Sequence, residues 1–281
     1  MVPRVDPSGP VRAGVAQLCV KRVEEESAVV RAEATSPLKI LTPRARGQSV
    51  WAYLSSYGGG MVAGDSHRLD VRLGPDAQAF FGTQSSTKVY RTPDGRVCEQ
   101  RAIVEIGVGG FLAWVPDPVQ PFAGAVYRQH QEFRLQANSS LVFLDSFTAG
   151  RSERGEHWAF TEYRSRTEFW VGGTRRLVDS IFLSSDLSSV PVQRRMSSNQ
   201  ALALLVLLGP KLKDASHELV GSIGRQPIGR ADEVRVSASP LADGVLVRIA
   251  GLRVETVRQR VSEFLSFLPD RLGDDPFARK W

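Results

Sequence analysis

SYGGGMVAGDSHRLDVRLGPDAQAFFGTQSSTKVYRT, residues Ser56–Thr92, joins a cluster of glycines to β-prone segments. Three consecutive glycines, Gly58, Gly59 and Gly60, are followed closely by Gly64. Glycine adopts backbone angles closed to other residues and lets main chains approach closely, so a cluster beside a β-prone run predicts a tight turn. We therefore expect this stretch to contain a turn and the strands on either side of it.

A strand is predicted directly after the glycines. Leu69, Val71 and Leu73 alternate with charged residues, and the same parity puts Asp65 and His67 on the apolar face. A carboxylate and an imidazole two residues apart on an inward face are suited to bind a metal or relay a proton. Chemistry alone favours a structural role, in which both side chains hydrogen-bond to the turn and the strand ends.

Glycine-bearing turns separate β-prone segments at short intervals through most of the first 190 residues. This spacing is typical of an all-β layered body and not of βαβ units. In Val50–Leu54 both faces are apolar, which predicts a strand buried on both sides. No fixed sequence period establishes a solenoid. The predicted strands are Leu18–Val23, Ala28–Ala32, Leu38–Leu41, Val50–Leu54, His67–Leu73, Ala77–Phe81, Gln100–Ile106, Phe111–Val115, Tyr127–Leu135, Ser140–Asp145, Trp158–Arg164, Thr167–Val171 and Leu177–Leu183.

The pattern changes after a serine-rich connector at Ser184–Ser198. Gln200–Leu208 is almost continuously apolar and predicts a helix, and Pro210 is placed to open another. Two more strands, Glu233–Ser237 and Gly244–Ala250, precede a final amphipathic helix running from Val254 to Leu268. We expect a flexible leader at 1–13 and one domain at 14–281, with a β body at about 14–190 and an α+β part at about 198–270.

Composition excludes several classes of protein. Of 281 residues, 42% are hydrophobic and 23% charged, as in soluble globular proteins. The net charge of +6 is spread along the chain without a basic block, so no nucleic-acid partner is expected. No run of about eighteen apolar residues predicts a membrane span. The two cysteines, Cys19 and Cys98, lack metal-ligand spacing and suit a reducing, cytoplasmic environment.

The usual catalytic motifs GxxxxGK[ST], GxSxG and HExxH do not occur in the sequence. What remains is a set of acids beside glycines and strand ends, namely Asp65, Asp117, Asp145, Glu153, Glu156 and Asp179. Several lie in or near DSFTAGRSERGEHW, residues Asp145–Trp158, where arginines and carboxylates either form a network that orders the loop or leave carboxylates to hold a cation transiently. The residues alone leave two functions open: an interaction scaffold, and a hydrolase with a dispersed carboxylate site.

Four motifs in order resemble the urease accessory protein UreD family, called UreH in some bacteria: SYGGGMVAGDSHRLDV, TQSSTKVYRT, WVPDPVQPFAGAVYRQ and DSFTAGRSERGEHW. LLGPKLK, at 207–213, resembles plant and fungal members in particular. The resemblance covers about residues 15–270. It implies a helical stack of β-strands, a β-helix-like body, with a few α-helices in the C-terminal third.

The function that this resemblance implies is that of a cytoplasmic scaffold without catalytic activity. Such proteins dock on the urease apoprotein and, with the accessory proteins UreF and UreG, enable nickel insertion into the urease active site. Nickel would be a transient passenger, and no cofactor would be tightly bound. No nucleic acid or membrane is implied as a partner. The alternatives are the carboxylate hydrolase, which needs a facing carboxyl pair about 5 Å apart if it retains configuration and somewhat farther apart if it inverts it, and a nickel store or sensor with tight binding.

The resemblance also assigns residues. Its polar internal route for nickel falls here on Asp65, Thr87, Asp145, Glu156 and Asp179, where weak and partial coordination would relay the ion without trapping it. Ala63 stands where many members have a glycine. The other motif residues, expected to be structural, are Gly58, Gly59, Gly60, Gly64, Lys88, Tyr90, Gly150, Arg151 and Gly155.

Overall fold

The computed structural model describes residues 13–186, 189–229 and 231–278. The predicted leader at 1–13 lies outside the described residues except for Ala13, which begins the first strand. The strands are β1 Ala13–Val23, β2 Glu26–Ala34, β3 Leu38–Leu41, β4 Val50–Ser56, β5 Ser66–Leu73, β6 Gln78–Thr83, β7 Thr87–Val89, β8 Cys98–Ile106, β9 Phe111–Trp114, β10 Val119–Pro121, β11 Val126–Leu135, β12 Ser140–Thr148, β13 Glu162–Val171, β14 Thr174–Ser184, β15 Ala201–Leu208, β16 Val234–Leu241 and β17 Gly244–Gly251. The α-helices are α1 Val192–Met196, α2 Lys213–Gly224, α3 Val254–Phe264 and α4 Leu268–Leu272.

The strands form two facing sheets. The first has the order β14-β13-β11-β8-β5-β1-β2, and the second has β16-β17-β15-β12-β9-β6-β4-β3. Between β4 and β13 the long strands alternate between the sheets, and neighbours within each sheet run parallel. A parallel neighbour is reached only by a long crossover, and here the crossover is the strand of the opposite sheet. The chain therefore winds as stacked coils, and β7 pairs with β10, which in turn pairs with β12 of the second sheet. This confirms the prediction of a mainly β fold whose strands form a helical stack.

A large hydrophobic core fills the space between the sheets. At its centre Phe133 packs against Trp114, Phe143 and Phe169, with ring centroids 5.0–5.5 Å apart. A second core lies on the outer face of the second sheet, beneath α2 and α3. Strand β4 contributes to both cores, so the prediction that its two faces are buried is confirmed.

The helix predicted at Gln200–Leu208 is wrong, because Ala201–Leu208 is strand β15, hydrogen-bonded between β12 and β17. One of its faces packs in the inter-sheet core and the other beneath the helices. A strand buried on both faces is a continuous apolar run, which periodicity cannot distinguish from a buried helix. The helix predicted from Pro210 is present, as a 3₁₀ turn leading into α2.

Two further boundaries differ from the prediction. Trp158–Arg164 and Thr167–Val171 were predicted as separate strands, but one strand, β13, runs through Glu162–Val171. The inward Ser165 interrupts the apolar alternation, so the sequence pattern appears broken where the backbone is not. The final amphipathic helix is divided into α3 and α4.

Candidate functional site

The glycine turn packs directly on the TKVY motif. Gly58 and Gly59 have φ values of 84° and 69°, which L side chains rarely adopt. At Gly60 an added Cβ would lie 2.5 Å from the carbonyl oxygen of Lys88, so only glycine fits there. The backbone N–H of Met61 donates to that carbonyl at 2.8 Å. The two motifs are therefore one structural unit.

Asp65 and His67 are both inward, as predicted, and each is 4% exposed. The Asp65 carboxylate accepts the N–H of Val62 at 2.9 Å and closes the turn, which matches the structural role favoured above. His67 differs, because its Nε2 is buried and has no hydrogen-bond partner among the described residues. Burial lowers the pKa of the imidazole, against the opposing effect of the Asp65 carboxylate.

His67 lines a small cavity of about 40 Å³ that we call the glycine-turn cavity. Its wall also includes Gly59, Thr83, Thr87 and Gln100. The Thr83 hydroxyl is engaged by Asp117, donating to Oδ2 at 3.0 Å and accepting the backbone N–H at 2.8 Å. Thr87 is not part of this contact and lines the cavity, which is roughly large enough for one or two water molecules.

A line of polar side chains crosses the inner face of the first sheet. The strand register places His67 beside Gln100, Gln100 beside Gln129, and Gln129 beside Ser165. We call these four residues the polar row. Gln129 and Ser165 are about 5% exposed and lie in an interior otherwise built from apolar side chains.

At the far end of the polar row stands Asp145, from the opposite sheet. Its Oδ2 accepts hydrogen bonds from Gln129 Nε2 at 2.9 Å, Ser165 Oγ at 3.2 Å and Gln131 Nε2 at 3.5 Å. Burial raises the pKa of Asp145 to about 6, and the Asp179 carboxylate adds to the effect, while the bonds from Gln129 and Ser165 oppose it. The ionised form of Asp145 therefore lowers the free energy of unfolding.

Asp145 and Asp179 line one cavity of about 510 Å³, which we call the acidic cavity. Its wall also carries Arg235 and Arg248. Arg248 Nη2 donates to Asp179 Oδ1 at 3.2 Å; the Asp179 side chain is 15% exposed and that of Arg248 is 58% exposed. Two carboxylates and two guanidinium groups thus line the same space, and their formal charges balance.

Glu156 occupies a different place. Arg151 binds its carboxylate through Nη2 and, at 3.0 Å, through Nε, and the N–H of Ala123 donates to it at 3.1 Å. The arginine holds the pKa of this carboxyl below its usual range. Gly150 and Gly155 have φ values of 107° and 75° and shape the same loop. These contacts match the arginine–carboxylate network that would order the loop.

The structure thus divides the residues proposed for a nickel route. Thr87 lines the glycine-turn cavity, Asp145 and Asp179 line the acidic cavity, and Asp65 and Glu156 are engaged in local turns and loops. Among the described residues no group of three or more His, Cys, Asp and Glu side chains is arranged to hold a metal ion.

Sequence reasoning missed the glutamines of β11 and the hydroxyls of β13. A signal for the glutamines was present, since Gln129 and Gln131 share the parity of the inward Tyr127 and Phe133. Two amides on the apolar face of a strand indicate an interior polar contact. Their partner, Asp145, comes from the other sheet, and one sequence does not reveal that pairing.

Comparisons with known proteins define the class. The family model described as UreD urease accessory protein matches residues 12–281. The urease accessory protein UreD of Sorangium cellulosum is 44% identical over 271 residues, covering 96% of this chain and 85% of the relative. The urease accessory protein D of Oryza sativa subsp. indica is 33% identical over 286 residues, covering 92% and 93%.

A fungal relative, urease accessory protein 4 of Cryptococcus neoformans, is 29% identical over 274 residues and covers 83% of this chain. The protein is therefore an accessory protein of urease maturation. The chain belongs to the UreD family. No helix within the described residues is long and apolar enough to cross a membrane.

Proposed function

We propose that this chain is a non-enzymatic scaffold that docks on the urease apoprotein and, with UreF and UreG, enables nickel insertion in the cytoplasm. Membership of the family supports the maturation role, and the named partners follow from the resemblance of the motifs. Nickel is cargo in this proposal, and the chain keeps no tightly bound cofactor.

The polar row is the observation that best supports a route for nickel through the chain. Its members occupy neighbouring strand positions between the glycine-turn cavity, lined by Thr87, and the acidic cavity, lined by Asp145 and Asp179. Amide and hydroxyl oxygens are weak ligands for nickel, and the Asp145 carboxylate at the end of the row does not by itself complete a coordination sphere. A route of this kind passes an ion along because no position on it binds tightly.

Asp65 and Glu156 have a supporting part in this proposal. Their carboxylates are engaged by backbone N–H groups and, for Glu156, by Arg151. We propose that they hold the glycine turn and the DSFTAGRSERGE loop in place, while Thr87, Asp145 and Asp179 face the ion.

The carboxylate hydrolase has one observation in its favour, the shared cavity of Asp145 and Asp179. Asp179 is ion-paired with Arg248, and Asp145 already accepts three hydrogen bonds on one oxygen. A hydrolase would turn over glycan or ester substrates unaided, and a nickel store would bind the ion more tightly than micromolar. Substrate turnover or such tight binding by the pure chain would contradict the scaffold proposal.

The test is co-purification with UreF and apo-urease followed by a urease activation assay. Asp145→Ala and Asp179→Ala are expected to lower activation and leave the complex intact. Asp70→Ala is the matched control, because Asp70 lies on the outer face of β5, paired with Arg68 at 3.0 Å. Loss of the complex together with activation would show that the two carboxylates are structural and would contradict the route.

A further inference from the structure

The imidazole of His67 is a buried polar group that the route through Thr87, Asp145 and Asp179 does not use. We infer that this side chain is a transient ligand for a borderline divalent cation in the glycine-turn cavity. This inference rests on the proposed function, because the cation it has in view is nickel in transit.

The first support is the unpartnered nitrogen. His67 is 4% exposed, and its Nε2 has no hydrogen-bond partner among the described residues. A buried polar atom without a partner costs stability, and such atoms in folded proteins call for an explanation. Asp65, two residues earlier and equally buried, accepts a hydrogen bond from the backbone of the turn, so hydrogen-bond partners are present near His67.

The second support is the space that His67 faces. The glycine-turn cavity is about 40 Å³ and is shared with Thr87 and Gln100. Its size suits a single ion or one or two waters. An imidazole nitrogen is a good ligand for nickel, copper and zinc and a poor one for magnesium and calcium. Hydroxyl and amide oxygens around it add only weak coordination, so the ion is selected without being trapped.

The third support is position. The strand register places His67 at one end of the polar row, beside Gln100, and Asp145 is bonded to the other end. An ion held at His67 would therefore leave along a line of amide and hydroxyl oxygens towards a carboxylate. His67 would supply the selectivity for a borderline metal that the oxygen ligands of the row lack.

The experiment is an NMR titration of the purified full chain carrying ¹⁵N-labelled histidine rings. Co²⁺ is the probe, since it is paramagnetic and shares nickel's preference for imidazole. We expect the ring signals of His67 to broaden or shift before those of His130, His157 and His217, the remaining histidines in the sequence. Equal additions of Mg²⁺ are expected to leave the His67 signals unchanged. The variant His67→Gln identifies the His67 signals, which should be missing from its spectrum.

The wild-type titration does not depend on how well that variant folds. If His67→Gln is unstable, the His67 signal is assigned by elimination from variants of the other three histidines, whose side chains are half-buried or exposed. Simultaneous broadening of all rings, or a silent His67, would overturn the inference and leave a water as the occupant of the cavity.

A failure of the proposed function would look different. It would appear as urease that receives its full nickel in cells lacking this chain, whatever the His67 ring does in the titration. If urease lacks nickel in cells without this chain but the His67 ring signals do not respond to Co²⁺, only the role of His67 is overturned.

Discussion

Replacing Asp145 by asparagine should separate function from stability. The carboxylate lies between the two sheets, and its Oδ2 accepts hydrogen bonds from Gln129, Gln131 and Ser165. Asparagine keeps an oxygen for these donors and removes the negative charge. We expect the variant to be more stable than the wild type at neutral pH and worse at activating urease, because a group retained at a cost to stability is retained for function.

The magnitude follows from the pKa of Asp145, which burial raises to about 6 from an ordinary 3.8. A carboxyl group whose pKa is higher in the folded state destabilises the fold as pH rises from about 4 to about 6. At about 1.4 kcal/mol per pKa unit the ionised group costs about 3 kcal/mol at pH 7. The asparagine amide must itself find an acceptor, so we expect a gain of about 1 to 2 kcal/mol.

The assay is urea denaturation of the wild type and Asp145→Asn at pH 7.5 and pH 4.5. The gain should be present at pH 7.5 and largely gone at pH 4.5, where the wild-type carboxyl is protonated in the fold. Asp70→Asn, on the outer face of the facing sheet, controls for the loss of one charge. A variant less stable than the wild type at both pH values would refute the reasoning, since it would show that the carboxylate stabilises the fold.

Three further substitutions test the framework. Gly60→Ala should cost about 1 to 3 kcal/mol, measured by thermal melting, since the new Cβ would lie 2.5 Å from the Lys88 carbonyl. Arg151→Ala should lower stability at pH 7 and raise the pKa of Glu156; because that pKa is depressed in the fold, the loss should vanish in acid, as urea titrations at pH 7 and pH 3 would show. Phe133→Ala should cost about 3 to 5 kcal/mol by urea denaturation.

Each of these substitutions has a contrary outcome. An unchanged melting temperature for Gly60→Ala would mean that the turn does not pack on the TKVY motif. A stability loss for Arg151→Ala that persists in acid would show that packing, such as the stacking of the guanidinium 4.2 Å over the Phe122 ring, outweighs the ion pair. A loss below about 1 kcal/mol for Phe133→Ala would place the aromatic cluster outside the core.

The outline of the fold could be predicted because its signals are local. Alternating side chains in β5 and two apolar faces in β4 identify strands without knowledge of their neighbours. The family resemblance predicts the helical stack of strands, which no sequence period reveals, and the division of that stack into two facing sheets is seen only in the structure. Strand β15 was mistaken for a helix because burial on both faces removes the alternation on which a strand prediction depends.

The candidate site could be predicted only in part, because the contacts that define it join residues far apart in the sequence. Asp145 and Asp179 stand out in the sequence beside strand ends, but their shared cavity depends on β12 and β14 facing each other from different sheets. Glu156 carries the same chemical signal as Asp145, and only the Arg151 contact shows that its role is local. Residue type identifies candidates, and long-range pairing distinguishes among them.

In the proposed function, urease receives its nickel only when this chain assists. The most direct measurement is the nickel content per urease active site, by elemental analysis of urease purified from cells with and without the gene for this chain. We predict normal amounts of urease protein in both, with nickel largely absent when the gene is deleted and restored when it is returned. Full nickel occupancy in the deletion strain would contradict the account.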